Sequence, residues 1–312
     1  MKSTDITKIY MGDTQGEKLY LGDELIWPVG GPVPPGPTPT ASTDTYFTIQ
    51  ALESGNLNVK NAGFRYSIND GAWQTTITDT AIPVTAGDEV RFWGDTHTVA
   101  AGLFSGNTLA FNVYGNVQSL SYYDWTGHTA EYEYSEHANL FKNCTGLVDA
   151  SNLLLPATGL TIHCYESMFY GCTSLVNAPV ISGTQLAEYC CGEMFNGCAS
   201  LVNAQSVLPA TALTDGCYQL MFAGCTSLTT APELPAIYGY SAEDYYMGMF
   251  SGCTSLNYVK CLQINIDPYN PTGCTDWMVG VAATGTFVKN PNTQWVRSAN
   301  GVPSGWTIVA NS

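Results

Sequence analysis

The sequence predicts a mainly β, multidomain protein: an N-terminal β-hairpin peg, a small antiparallel β-sandwich, and a short solenoid of repeats with a C-terminal cap. Three observations carry that expectation. The phrase "MFAGCTSLTTAPELPA" at position 221 returns as "MFYGCTSLVNAPVI" at 168, "MFNGCASLVNAQSVLPA" at 194 and "MFSGCTSLNYVKCL" at 249. Between residues 46 and 120, short apolar runs are broken by turn dipeptides. Only 12% of the residues are charged, while Tyr, Thr, Ser, Asn and Gly abound, a balance that suits strands and turns better than long surface helices.

The order of elements follows from local pattern. Residues 1–27 hold a tandem, "KIYMGDT" at 8–14 and "KLYLGDE" at 18–24. Each copy alternates apolar and polar residues and breaks at Gly-Asp, which predicts two strands turning around residues 14–16. So small a ribbon is marginal alone in water. Tyr10, Leu19, Leu21, Ile26 and Trp27 therefore need a partner surface, either the next domain or another protein, and the segment is read as an assembly anchor. Residues 28–44, which open with "PVGGPVPPGPTPTAST" at 28–43, form a Pro/Gly linker biased to extended polyproline II. Residues 45–130 carry the runs "YFTIQAL", "FRYSI", "TAIPV", "EVRFWG" and "LAFNVYGNVQSL", separated by "NDG" and "TAGD". That spacing argues for a small sandwich or barrel, with Trp73 and Trp93 expected in its core.

Residues 131–262 carry the repeat, and residues 263–312 the cap. Aligned on Cys144, Cys172, Cys198, Cys225 and Cys253, the steps are 28, 26, 27 and 28 residues, a period that marks a solenoid. Phe141, Phe169, Phe195, Phe222 and Phe250 form one column; Leu147, Leu175, Leu201, Leu228 and Leu256 form another. Ala150, Ala178, Ala204, Ala231 and Val259 follow three residues later, and Cys164, Cys190, Cys217 and Tyr245 precede each Met by four. Gly171, Gly197, Gly224 and Gly252 precede the main cysteines, where a positive φ or a close backbone approach is expected. The recurring cysteines are thus architectural: buried, reduced thiols in parallel, poorly placed for disulfides.

These residues resemble BspA-like leucine-rich repeats, whose pattern places an aromatic, then a cysteine, then a leucine three residues on. With "YFTIQAL", "FNVYGNVQSL", "DWMVGVAATGTFVKN" and "GVPSGWTIV", the layout of residues 45–312 is similar to surface and virion-associated proteins of gut Bacteroidales and their phages, crAss-like phages included. The resemblance implies adhesion or surface display without enzyme activity. The chain differs in having only four or five repeats and, at its N-terminus, neither signal peptide nor lipobox, which favours a virion protein over a cell-surface adhesin.

In such a repeat the strand runs from the Leu to the Ala, so the alternating neighbours line the concave face. These are Asp149 and Ser151, Asn177 and Pro179, Asn203 and Gln205, Thr230 and Pro232, and Tyr258 and Lys260. The face is polar and nearly uncharged: it either binds a glycan or a polar protein surface or is simply solvated. Tyr165, Tyr189, Tyr218, Tyr245 and Tyr246 are expected along exposed edges or as caps of the stack.

Other chemistry finds little support. The net charge is −16, and no Lys or Arg lies between Lys142 and Lys260, which disfavours nucleic acid and anionic membranes. No apolar run suits a membrane span. No paired CxxC motifs, HExxH, GxSxG or phosphate loop occurs, so no metal, cofactor or catalytic residue is expected. Glu131, Glu133 and Glu136 near His137 read as a solvated loop. The expected protein is made in the host cytoplasm and carried on the virion, anchored through residues 1–27 to other virion proteins. It would present its repeats to host protein or glycan, either alone or as a homo-oligomer. A bacterial surface adhesin is the alternative, and a carbohydrate-active enzyme a remote third.

Overall fold

Alternating apolar residues and tight turns build a structure with almost no helix. The computed structural model describes residues 45–94, 100–122, 125–126, 135–210, 212–235, 242–264 and 272–311, with the backbone of 20–21 and 24–25. The chain divides into two units, Met1–Gly36 and Pro37–Ser312. In the first, β1 (Tyr20–Leu21) pairs antiparallel with β2 (Glu24–Leu25). This ladder falls within and just after the strand expected at 18–24. The other expected strand, its turn, the linker, Tyr10, Leu19, Ile26, Trp27 and the side chain of Leu21 lie outside the described residues.

The second unit opens with β3 (Phe47–Ala51), β4 (Gly55–Val59), β5 (Arg65–Ile68), β6 (Gln74–Thr75), β7 (Thr80–Val84), β8 (Glu89–Trp93) and β9 (Phe111–Asn116). It continues with β10 (Leu147–Leu155), β11 (Val180–Ile181), β12 (Tyr258–Cys261), β13 (Gly285–Lys289) and β14 (Trp306–Ala310). A seven-stranded sheet has the order β11-β10-β9-β3-β8-β5-β6; β4 and β7 form a separate antiparallel pair, and β12-β13-β14 a parallel sheet. Pairing is antiparallel from β6 to β9 and parallel where β9 meets β10, the first strand of the repeats. The large sheet therefore crosses the boundary expected near residue 130. A single apolar core, from Phe47 through Phe141 to Trp277 and Trp306, runs beneath all of it.

Two tryptophans depart from expectation. Trp73 is 42% exposed, because it precedes β6, the edge strand, with no strand beyond it among the described residues. Trp93 is half-buried: in β8 the inward parity belongs to Val90 and Phe92. Its ring lies instead beneath the guanidinium of its cross-strand partner Arg65, at 5.0 Å.

Each repeat has a turn side and a strand side. On the turn side, amides alternate between two uses. Met168, Tyr170 and Cys172 donate three residues back within their own tier, while Tyr165, Ser167, Phe169 and Gly171 donate to Cys190, Gly192, Met194 and Asn196 of the next tier. The alternation needs a left-handed residue every fourth position: His163, Ser167 and Gly171; Tyr189, Glu193 and Gly197; Gly216, Leu220 and Gly224; Asp244, Gly248 and Gly252. Gly224 has φ +72°, and its Cα faces those of Gly197 and Gly252 along the stack. The expected reason for that glycine column is thus met on both counts.

Phenylalanines fill the space between the two sides. Successive rings of Phe141, Phe169, Phe195, Phe222 and Phe250 stack at 5.3, 5.3, 5.4 and 5.9 Å. The column also extends downward to Phe104 and Phe47. "LFSGNTL" at 103–109 is in fact a further tier: Phe104 and Gly106 donate to Leu140 and Lys142 as later tiers do to theirs. Asn107 replaces the cysteine, which hid this tier from a search by cysteine spacing. At the other end Met278 and Val281 take the Phe and Cys positions, four residues beyond Cys274 and seven, respectively.

Candidate functional site

The cysteines come first, because repeated thiols invite a chemical reading. All eleven are free and buried. Each main-column Sγ donates to the Phe carbonyl one tier below: Cys144 to Phe104 at 2.9 Å, Cys172 to Phe141 at 3.0 Å, Cys198 to Phe169 at 3.1 Å, Cys225 to Phe195 at 3.2 Å and Cys253 to Phe222 at 2.9 Å. A small apolar group with one donor fits there, and cysteine is that group. Burial pushes the Cys144 and Cys253 thiols up to about 12 and holds Cys172, Cys198 and Cys225 well above the ordinary value. They remain protonated donors and are poor nucleophiles.

Glu136 and His137 correct a second expectation. Both are buried, not part of a solvated loop; Glu131 and Glu133 lie outside the described residues. His137 N donates to Cys164 O just as Tyr165 N donates to Cys190 O. Glu136 thus stands in the column of Cys164 and Cys190, and His137 in that of Tyr165. Tyr122 Oη donates to the Glu136 carboxylate at 2.8 Å, and Ser121 Oγ lies 3.2 Å from His137 Nε2. The group closes the lower end of the column. The tyrosines follow the same logic: Tyr165, Tyr218 and Tyr246 are fully buried in that column, whereas Tyr189 and Tyr245 are half-buried.

The strand side is less regular, and that irregularity makes the candidate site. Asp149, Asn177 and Asn203 form successive parallel bridges, and Asn203 Nδ2 donates to Asn177 Oδ1 at 2.6 Å. Thr230 bridges Tyr258, which pairs with Thr286 in β13. Between Asn203 and Thr230 the ladder is broken: among the described residues no bridge joins them. Ala178 donates to Asn203 O and Ala231 to Tyr258 O, but Ala204 N and Thr230 O, the pair in the corresponding place, are not bonded to each other.

The cause is one additional residue. Repeat three reads "NAQSVLPA" where repeat four reads "TAPELPA". The offset between these tiers is 27 at their cysteines but 26 at the next bridge, Val207 with Glu233. The extra residue bulges the backbone around Gln205. Gln205 ties the bulge down, accepting from Ile181 N at 2.7 Å and donating to Val207 O at 2.6 Å. An open cleft of about 510 Å³ results, lined by residues 202–206, 229–231, 233, 258 and 260. Lys260 Nζ and Glu233 Oε2 close one side as an ion pair at 3.0 Å.

Five of the ten residues expected on the concave face therefore share one cleft: Asn203, Gln205, Thr230, Tyr258 and Lys260. Asp149, Ser151 and Asn177 lie on neighbouring tiers outside it, and Asp149 is used locally, accepting from Ser151 N at 2.7 Å. Pro179 and Pro232 are buried. Strict in–out alternation requires a continuous strand, and here most tiers contribute only isolated bridges. Sequence reasoning missed Val202, Ser206, Thr229 and Glu233; the longer spacing between Ala204 and Leu208 was the available signal.

No family model, no curated protein and no solved structure matches the chain.

Proposed function

We propose that the protein is a non-enzymatic virion display or adhesion protein, anchored through residues 1–27 and presenting its repeats to a host protein or glycan. In this reading the repeats are a BspA-like leucine-rich-repeat solenoid, preceded by a small β-sandwich and closed by the C-terminal sheet. The polar cleft at the broken ladder carries the proposal. It is an accessible recess with unspent hydrogen-bonding groups, on a stack whose thiols and buried Glu136 and His137 are engaged in packing. The separate N-terminal unit supports an anchoring role, since a short strand segment gains stability by pairing with a partner or with copies of itself. Removing residues 1–27 is then expected to leave cooperative melting intact and to abolish attachment to particles. Attachment at the wild-type level would move the anchor into the second unit, and loss of folding would make the segment part of the core. A bacterial surface adhesin of the same architecture is the alternative; localisation of the native protein in phage particles or in the cell envelope separates the two.

A further inference from the structure

We propose that the cleft beside the Gln205 bulge binds a single neutral saccharide ring. This rests on reading the repeat face as a ligand-presenting surface and names the ligand class for it. The cleft's size suits a small molecule. Its chemistry narrows the class.

The hydroxyls of Ser206, Thr229, Thr230 and Tyr258 have no hydrogen-bond partner among the described residues, and neither does Asn203 Oδ1. Each hydroxyl can donate and accept, which is the complement that vicinal sugar hydroxyls require. The charges in the cleft cancel. Lys260 and Glu233 already satisfy each other, so an anionic or cationic ligand would have to compete with that pair, whereas a sugar hydroxyl can accept from a remaining ammonium hydrogen or donate to the carboxylate. The methyl groups of Val202, which is 48% exposed, and the ring of Tyr258 supply apolar surface for the C–H face of a pyranose. An extended peptide is a poor fit. Strand addition needs a regular run of alternating amides and carbonyls along an edge, and the extra residue interrupts that run.

The test uses the full-length chain and saturation-transfer NMR with a panel of neutral methyl glycosides: glucoside, galactoside, mannoside, fucoside and N-acetylglucosaminide. At least one is expected to bind, with sodium acetate and methylamine failing to compete at equal concentration. Thr230→Val and Tyr258→Phe each remove one hydroxyl from a folded stack and should weaken binding by about five- to tenfold, the effect of one lost hydrogen bond. Deleting Ser206 restores the spacing of the neighbouring repeats and should abolish binding. Thr173→Val, on an exposed turn one tier away, should leave it unchanged. Absence of binding by every glycoside, or binding that survives both hydroxyl variants, overturns the proposal. Failure of this site leaves attachment to particles or cells intact; failure of the display reading removes attachment and leaves glycoside binding in place.

Discussion

The two sides of each repeat obey different rules. On the turn side, the tiers repeat the same alternation of amides and the same left-handed positions, and five of them the same thiol-to-carbonyl bond. On the strand side, most bridges between repeats come singly, their offsets range from 26 to 28 residues, and side chains differ from tier to tier. The turn side must transmit register, because each of its groups is bonded both within its tier and to the next. The strand side can absorb an inserted residue, because a skipped bridge there exposes its amide and carbonyl to water. Variation, and with it the candidate site, accumulates where the hydrogen-bond network tolerates it.

Conditions that attack the turn side should therefore have the largest effects. Burial raises the thiols on that side of the folded chain, with Cys144, Cys217 and Cys253 pushed up to about 12 from 9.0. Their protonated form is favoured on folding. The contribution is complete below the unfolded value and is lost as pH rises toward the folded one, by up to about 1.4 kcal/mol per pH unit for each such thiol. Denaturant midpoints are expected to hold steady to pH 8 and to fall steeply between about pH 9 and 12. A flat profile would place the thiols in contact with water. Native protein at pH 8 should accordingly resist iodoacetamide, while denatured protein takes up one label at each of its eleven cysteines.

Phe222→Ala comes next. Its ring stacks on Phe195 at 5.4 Å and Phe250 at 5.9 Å, and its loss should cost about 3 to 5 kcal/mol; an unchanged melting temperature would break the register described here. Gly224→Ala should cost about 1 to 2 kcal/mol, because a Cβ is strained at φ +72°. Gly224→Asn sharpens the comparison: Asn143 holds the equivalent position in its own tier at φ +60°, and asparagine tolerates that region, so the loss should be smaller. On the strand side, Lys260→Met removes a partly exposed ion pair and should shift stability by less than about 1 kcal/mol. Equal sensitivity of the two sides in these melts would remove the distinction.

What could be read from the sequence tracks the same division. The Phe, Cys and Leu columns, the glycines and the buried thiols were legible because their spacing is imposed tier by tier. The tier at 103–109 was not, since Asn107 stands in the cysteine position and donates elsewhere: its Nδ2 reaches Phe104 O of its own tier at 2.7 Å and Asn58 O at 2.8 Å. Glu136 and His137 looked solvated because charge usually implies exposure, but their column is buried throughout. Trp73 and Trp93 looked like core residues because ring size says nothing about strand parity or edge position. The cleft depends on a single inserted residue, too small a change for a pattern built on cysteine spacing to register.

The thiol-to-carbonyl bond has one consequence for how such a chain can change over generations. Each of the five cysteine-bearing tiers offers a Phe carbonyl on its upper surface and a cysteine hydrogen on its lower one, so on the turn side a copy of one such tier matches another. In-frame duplication or loss of one coding unit would lengthen or shorten the stack without new complementary surfaces having to arise. The two ends differ: Asn107 begins the series and Val281, lacking a comparable donor, stops it. Stack height is then a matter of gene copy arithmetic between two fixed bookends.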